Sequence, residues 1–246
     1  MKEIIVFNSD QSANRFKIES NINNHYGIYT PAYDGFVETW YDQSGNGNDA
    51  VQTNINYQPK IVANGSYLGE LDFDGVDDAL ETDNSDLCNI TELSLFTVLT
   101  PFTGSSEKVA VSAGSVVFNA TASGGWTLNF NGQNDTVRIL TQQEGSTPQT
   151  GAPQSVTASE SLVTSILNVP NATTSLNGVE GTTRTNMLEP FRSNAGRRKL
   201  RIGCESYFNL QRHYPEPIKE IVLYTSDQSA NRPAIEANIN NQYSIY

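Results

Sequence analysis

The sequence predicts an all-β protein, a sandwich of two antiparallel sheets with a short amphipathic helix near each end. Three observations predict it. From residue 36 to residue 224, short β-branched and aromatic runs are separated by Gly, Asn, Ser and Pro clusters, with no convincing amphipathic helix among them. Several runs alternate in polarity, as strands with one buried face do: in WTLNF (126–130), Trp126, Leu128 and Phe130 oppose Thr127 and Asn129. The chain also repeats itself: KEIIVFNSDQSANRFKIESNINNHYGIY (2–29) matches KEIVLYTSDQSANRPAIEANINNQYSIY (219–246) without a gap at 19 of 28 positions.

In the first copy, Ile5, Val6 and Phe7 read as a strand, and Ile18, Ile22 and Tyr26 recur every four residues on one helical face. FVETWYD (36–42), YLGELDF (67–73), LSLFTVLT (93–100), KVAVS (108–112), SVVFN (115–119), WTLNF and TVRILT (136–141) follow as strands. LSLFTVLT is apolar on both alternating sets, which suits a central strand covered on both faces; WTLNF is expected to bury one face and wet the other. Residues 142–160 hold almost no large apolar side chains and read as a long surface loop. SLVTSILNV (161–169), TTSLNG (173–178), VEGTTRT (179–185), KLRIGC (199–204) and IKEIVLY (218–224) complete the strands, and Asn177-Gly178 supplies the turn chemistry of a tight hairpin. In the second copy Ile235, Ile239 and Tyr243 form the helical stripe, and Pro233, tolerated only in a first turn, starts that helix near Asn231. A strand and a three-turn helix cannot bury such a stripe alone, so each copy must dock on something.

The 15 basic and 27 acidic residues give a net charge of −12, which argues against general binding to nucleic acid or anionic membrane. A neutral or cationic partner, or one reached through a local patch, is expected. No stretch reaches the roughly 18 apolar residues of a membrane span, and MKEIIVFNSDQ lacks the apolar core and cleavage site of a signal peptide, so an unprocessed chain with no membrane insertion is expected. Cys88 and Cys204 are too few for a disulfide scaffold and read as separate thiols, with a bridge between them as the alternative.

Two segments concentrate oxygen ligands. DQSGNGND (42–49) spaces Asp42, Ser44, Asn46, Asn48 and Asp49 so that they can wrap a hard cation such as Ca2+, or form a tight turn in which Asp42 caps backbone N–H groups. FDGVDD (73–78) offers Asp74, Asp77 and Asp78, whose repulsion requires a cation, hydrogen-bond donors or solvent; the turn is the preferred reading for both segments. The loop ESYFNLQRHYPEP (205–217) gathers Glu205, Tyr207, Phe208, Arg212, His213 and Tyr214, aromatic and charged groups suited to stacking on sugar rings and orienting hydroxyls, or alternatively to covering a sheet edge. Trp40 and Trp126 read as core rather than ligand platforms. RSNAGRRKLR (192–201) concentrates five basic residues and reads as a charge-protected edge, or as a dock for an acidic glycan or another copy of the chain.

WYDQSGNGNDAVQ (40–52), LDFDGVDDALET (71–82) with LSLFTVLTP, and RIGCES (201–206) with the closing strand and helix together resemble laminin-G-like, concanavalin A-like sandwich modules, over about residues 33 to 246. Such modules occur in phage tail fibres, other virion proteins and bacterial surface proteins. The resemblance implies curved antiparallel sheets, a carbohydrate or receptor site on the concave face or rim loops, sometimes a calcium ion, and a virion-surface or extracellular setting. It also implies a division into residues 1–29, the closing element of a preceding module or an adaptor, and residues 30–246, the sandwich proper. A related arabinofuranosidase sandwich shares a YDQSGNG-like segment; that likeness puts Glu205 where its acid/base stands, but Thr127 where a nucleophilic carboxylate is required. The expected function is non-enzymatic adhesion to a surface glycan or protein receptor. The alternatives are a structural repeat that joins neighbouring copies head to tail through the duplicated element, and a glycoside hydrolase.

Overall fold

A computed structural model describes residues 4–28, 33–82, 87–115, 124–191, 199–205 and 212–246. Two antiparallel sheets face each other. The seven-stranded sheet runs in the order β1 (Gly35–Phe36), β4 (Lys60–Ala63), β5 (Ser66–Asp72), β16 (Ile218–Tyr224), β7 (Glu92–Leu99), β13 (Ser161–Asn168), β14 (Asn171–Leu176). The nine-stranded sheet runs β11 (Gln149–Thr150), β10 (Thr136–Gln142), β9 (Gly124–Asn131), β8 (Glu107–Ser115), β15 (Leu200–Ile202), β6 (Leu80–Glu81), β3 (Ala50–Val51), β2 (Thr39–Trp40), with β12 (Gln154–Ser155) also on β10. This is the two-sheet antiparallel sandwich that the alternating runs predict.

Leu93, Leu95 and Leu99 of β7 meet Trp126, Leu128 and Phe130 of β9 and Val137 and Ile139 of β10 between the sheets, all essentially without solvent contact. Each such side chain contributes about 1.5–3 kcal/mol on burial. The opposite face of β7 presents Phe96 and Val98, which are covered by Ile235, Ile239 and Tyr243 of the closing helix α2 (Arg232–Tyr243). Pro233 sits in the first turn of α2, and Ser244 ends the helix at φ 56°, its N–H on the Asn240 carbonyl at 2.7 Å. The strand that precedes the helix, β16, inserts between β5 and β7, with Val222 opposite Phe96 and Leu223 opposite Leu95.

The first copy repeats the local structure of the second. Asp10 accepts the Ser12 N–H at 2.8 Å as Asp227 accepts that of Ser229 at 2.8 Å, and Asn14 donates to Gln11 as Asn231 donates to Gln228. Helix α1 (Arg15–Tyr26) ends at Gly27, φ 58°, the counterpart of Ser244. The predicted strand at Ile5–Phe7 does not form. Residues 4–7 lie in no strand, and Val6 is 85% exposed, because a strand needs a hydrogen-bonding neighbour and no sheet edge is offered to this run. Helix α1 approaches β5, leaving Ile18, Ile22 and Tyr26 half-buried.

Other expectations change in detail. The 142–160 region is not a bare loop, since β11 and β12 both pair with β10 and extend the sheet. VEGTTRT makes isolated bridges only, at Val179 and Arg184. Most of SVVFN lies outside the described residues. The Asn177-Gly178 hairpin forms as predicted, with φ of 49° and 77° and reciprocal bonds between Leu176 and Val179. Cys88 and Cys204 are buried, separate thiols, and burial pushes the Cys204 thiol up to about 12. Gly203, at φ 86°, lets Phe73 into the core where a Cβ would meet its ring at 2.3 Å. No helix among the described residues is long and apolar enough to cross a membrane.

The repeat places one ion pair in two environments. Arg232, with its side chain 13% exposed, donates to Ser175 Oγ at 2.9 Å and Glu180 Oε2 at 2.6 Å and lies 3.6 Å from the buried Glu236, whereas Arg15, 75% exposed, meets Glu19 at 2.8 Å. Arg232→Ala strands a buried carboxylate and is expected to lower the unfolding free energy by about 3 kcal/mol. Arg15→Ala is expected to cost under about 0.5 kcal/mol. Urea denaturation of the two variants measures the difference.

Candidate functional site

Period-two alternation sends Trp126, Leu128 and Phe130 of β9 inward and Thr127 and Asn129 outward. The register aligns Leu140, Thr127, Ser112, Arg201 and Glu81 across the outer face of the nine-stranded sheet, and Arg138, Asn129 and Val109 beside them. This face was expected to be wet, but Thr127 and Asn129 have no exposed surface. Thr127 Oγ1, both amide atoms of Asn129 and Arg138 Nε find no hydrogen-bond partner. Each buried polar group left unpaired costs about 1–3 kcal/mol, so these positions are held against the stability of the fold.

An ionic chain runs over the same face. Arg138 Nη2 lies 3.2 Å from Glu107 Oε1; Arg212 bridges Glu107 at 3.3 Å and Glu205 at 3.2 Å. Ser112 Oγ donates to the Cys204 carbonyl at 2.9 Å and so anchors the chain next to Glu205, which is only 2% exposed. Arg212 takes φ 59°, an uncommon conformation for a side-chain-bearing residue. Further across, Glu81 pairs with Lys199 at 2.5 Å and with Arg201. Among the described residues, four cations thus face three carboxylates on a chain of net charge −12.

Of the loop residues singled out from the sequence, Glu205 and Arg212 are brought together here, while Tyr207 and Phe208 lie outside the described residues. The other two turn inward. Tyr214 is fully buried, its hydroxyl donating to the Thr100 carbonyl at 2.6 Å and its ring 5.2 Å from that of Phe130; it is a core residue. His213 is buried with Nδ1 3.2 Å from the Asp78 carbonyl, a structural contact. Trp126 lies in the core with its indole N–H on the Leu87 carbonyl at 2.7 Å, and Trp40 packs half-buried at the core's margin. Within RSNAGRRKLR, residues 192–198 lie outside the described residues; Lys199 and Arg201 are paired with Glu81 rather than solvated alone. Sequence reasoning missed Asn129, Thr127 and Arg138 as a site. The signal was the polar set of WTLNF on a strand interior to the wide sheet.

The oxygen-rich segments are self-capped turns. Asp42 accepts the N–H groups of Ser44 at 2.8 Å and Asn48 at 2.9 Å, Asp49 accepts the Asp42 N–H at 2.8 Å, and Gly45 and Gly47 take φ of 82° and 71°. The Asn48 and Ser44 backbone donors hold the Asp42 pKa below the usual carboxylate range. Asn46 turns its side-chain N–H to Ser44 Oγ at 2.9 Å. Asp74, Asp77 and Asp78 bring carboxylate oxygens within 4.8 Å of one another, the grouping that best suits a calcium ion among the described residues. Asp74 Oδ1, however, already accepts the N–H groups of Val76, Asp77 and Asp78, and Asp78 Oδ2 accepts that of Asp74. Two of the three carboxylates are so engaged, and three carboxylates fall short of the six to eight oxygens calcium takes. These residues fit a capped turn, and no chemistry is assigned to a cation there.

No family model and no curated protein matches the sequence. The fold has solved counterparts. NanB sialidase from Streptococcus pneumoniae aligns at 13% identity and TM-score 0.52 over 67% of this chain and 26% of that one. The receptor-binding domain of botulinum neurotoxin mosaic serotype C/D aligns at 10% and 0.54 over 82% and 50%. The CBM40 of Ruminococcus gnavus IT-sialidase, bound to α2,6 sialyllactose, aligns at 11% and 0.55 over 68% and 95%. The chain therefore spans about a quarter to a half of the first two proteins and nearly all of the third, and what it shares with them is the sandwich.

Burial pushes the Asp78 carboxyl up to about 6, outweighing the Asp74 N–H, and the like charges of Asp74, Asp77 and Asp72 add to the rise. Below pH 4 both folded and unfolded states hold this proton; between pH 4 and 6 only the folded state does, so stability falls as pH rises. A shift from 3.8 to about 6 corresponds to about 3 kcal/mol lost by pH 7. Asp78→Asn is expected to gain on the wild type by up to that amount between pH 4 and pH 7, measured by urea denaturation at both values.

Proposed function

We propose that the chain is a non-enzymatic carbohydrate-binding module of an extracellular or virion-surface protein, taking glycan on the outer face of the nine-stranded sheet. The observation that carries the reading is Asn129, whose two amide atoms have no partner, beside Thr127 Oγ1 and Arg138 Nε, likewise unpaired; all are buried, so the reading requires them to be uncovered when glycan binds. Sugar hydroxyls donate and accept at once and match an amide, a hydroxyl and a guanidinium in one plane. The four cations set against three carboxylates among the described residues favour neutral or acidic sugars over basic ligands. Similarity to a sialyllactose-bound carbohydrate-binding module and to a toxin receptor-binding domain supports the same class of role. A catalytic reading has less support, since Glu205 is engaged by Arg212 and Thr127 offers no carboxylate.

A glycan array of neutral and acidic saccharides, followed by calorimetry with and without EDTA, tests the proposal. A glycan hit of micromolar to millimolar Kd that survives EDTA is expected, with Asn129→Ala and Arg138→Ala each weakening it at least tenfold, about 1.4 kcal/mol. Substitution of the exposed Tyr67 on the other sheet is expected to leave affinity unchanged. Absence of any glycan hit sinks the reading, and a protein receptor captured without glycan redirects it. Turnover of aryl-glycosides that is lost in Glu205→Gln would replace binding by hydrolysis.

A further inference from the structure

Residues 4–28 and 221–245 are one element in two settings. In the second setting its docking contacts are visible: the Ser226 carbonyl accepts from Ser94 Oγ, the Gln228 N–H donates to that Oγ, the Asp227 N–H donates to Glu92, Asn168 donates to Asp227, and Arg232 donates to Ser175, all at 2.7–3.0 Å. Its strand lies between β5 and β7, and its helix covers Phe96, Val98 and Leu162. The first copy carries identical residues at these positions: Ser9, Asp10, Gln11, Arg15, Ile18, Ile22 and Tyr26. It is already folded into the same turn and helix, so docking orders little beyond its strand. Yet Ile4, Ile5, Val6 and Phe7, which correspond to the inserted strand, stand 45–85% exposed.

We infer that residues 4–28 are a docking element for a second copy of this chain, entering the place that residues 221–245 hold in that copy. The receiving slot is the one this sequence itself builds, and the occupant repeats the resident at 19 of 28 positions, with Ile5, Val6 and Phe7 standing for Val222, Leu223 and Tyr224 in the strand. Such a contact sets one element against a different slot on the next copy, and it joins copies head to tail unless two copies exchange it reciprocally. A tethered occupant competes at an effective concentration of about millimolar, so exchange at lower protein concentration requires the resident element to be loosened. The inference does not depend on glycan binding.

The full-length chain carrying Val222→Pro and Ile239→Asp loosens the resident copy, since Pro removes a ladder donor from an interior strand and Asp is set against Phe96 and Val98. Sedimentation velocity is expected to show concentration-dependent oligomers that vanish when Ile5→Pro and Ile22→Asp are added. A variant that stays monomeric, or whose behaviour is the same with the first copy intact or disabled, overturns the inference. If the variant loses its fold, a synthetic peptide of residues 2–29 at about 1 mM provides the second measurement. Restored near-UV circular dichroism, absent for the peptide with Ile5→Pro and Ile22→Asp, supports the inference; no restoration by either peptide overturns it.

Discussion

A strand that is apolar on both faces has to be covered twice, and β7 is such a strand. Leu93, Leu95 and Leu99 point into the space between the sheets, and Phe96 and Val98 point out of it. The second sheet satisfies the first requirement. The second is met only by the last thirty or so residues, which add β16 beside β7 and fold α2 over it. The closing element thus determines whether the seven-stranded sheet is continuous and whether its outer apolar surface is dry. Nearly everything distinctive in the molecule, including the value of a spare copy of that element, follows from this one demand.

Where local chemistry is sufficient, the sequence was legible. Pro233 marked the first turn of α2, Asn177-Gly178 marked a two-residue turn, and the four-residue recurrence of Ile235, Ile239 and Tyr243 marked the buried stripe. The oxygen-rich segments likewise close on their own backbones. Strand formation at Ile5–Phe7 was not legible, because a β-run with excellent propensity is a strand only when an edge is supplied, and propensity says nothing of edges.

The candidate site was half legible for a similar reason. Alternation in WTLNF set Thr127 and Asn129 apart correctly from Trp126 and Phe130, but alternation alone does not reveal that both faces of the strand are buried. The charges behaved in the same way: Lys199 and Arg201 read as a bare basic run until Glu81, more than a hundred residues earlier, is placed beside them. Tyr214 and His213 misled because an aromatic in a polar segment suggests a surface loop. Here Tyr214 lies inside the sandwich, its N–H on the Gly203 carbonyl at 2.8 Å. Pairwise ionic closure over such distances is a property of topology, not of composition.

The two buried, unbridged thiols bear on where such a chain can mature. With no covalent cross-link to form, folding asks nothing of an oxidant or an isomerase, and with no cross-link to lose, a reductant has nothing to break. A thiol pushed up to about 12 at Cys204 holds almost no thiolate near neutrality and is a poor partner for exchange. A polypeptide completed in a reducing interior can therefore pass to an oxidising exterior with the same covalent structure, its architecture indifferent to the passage.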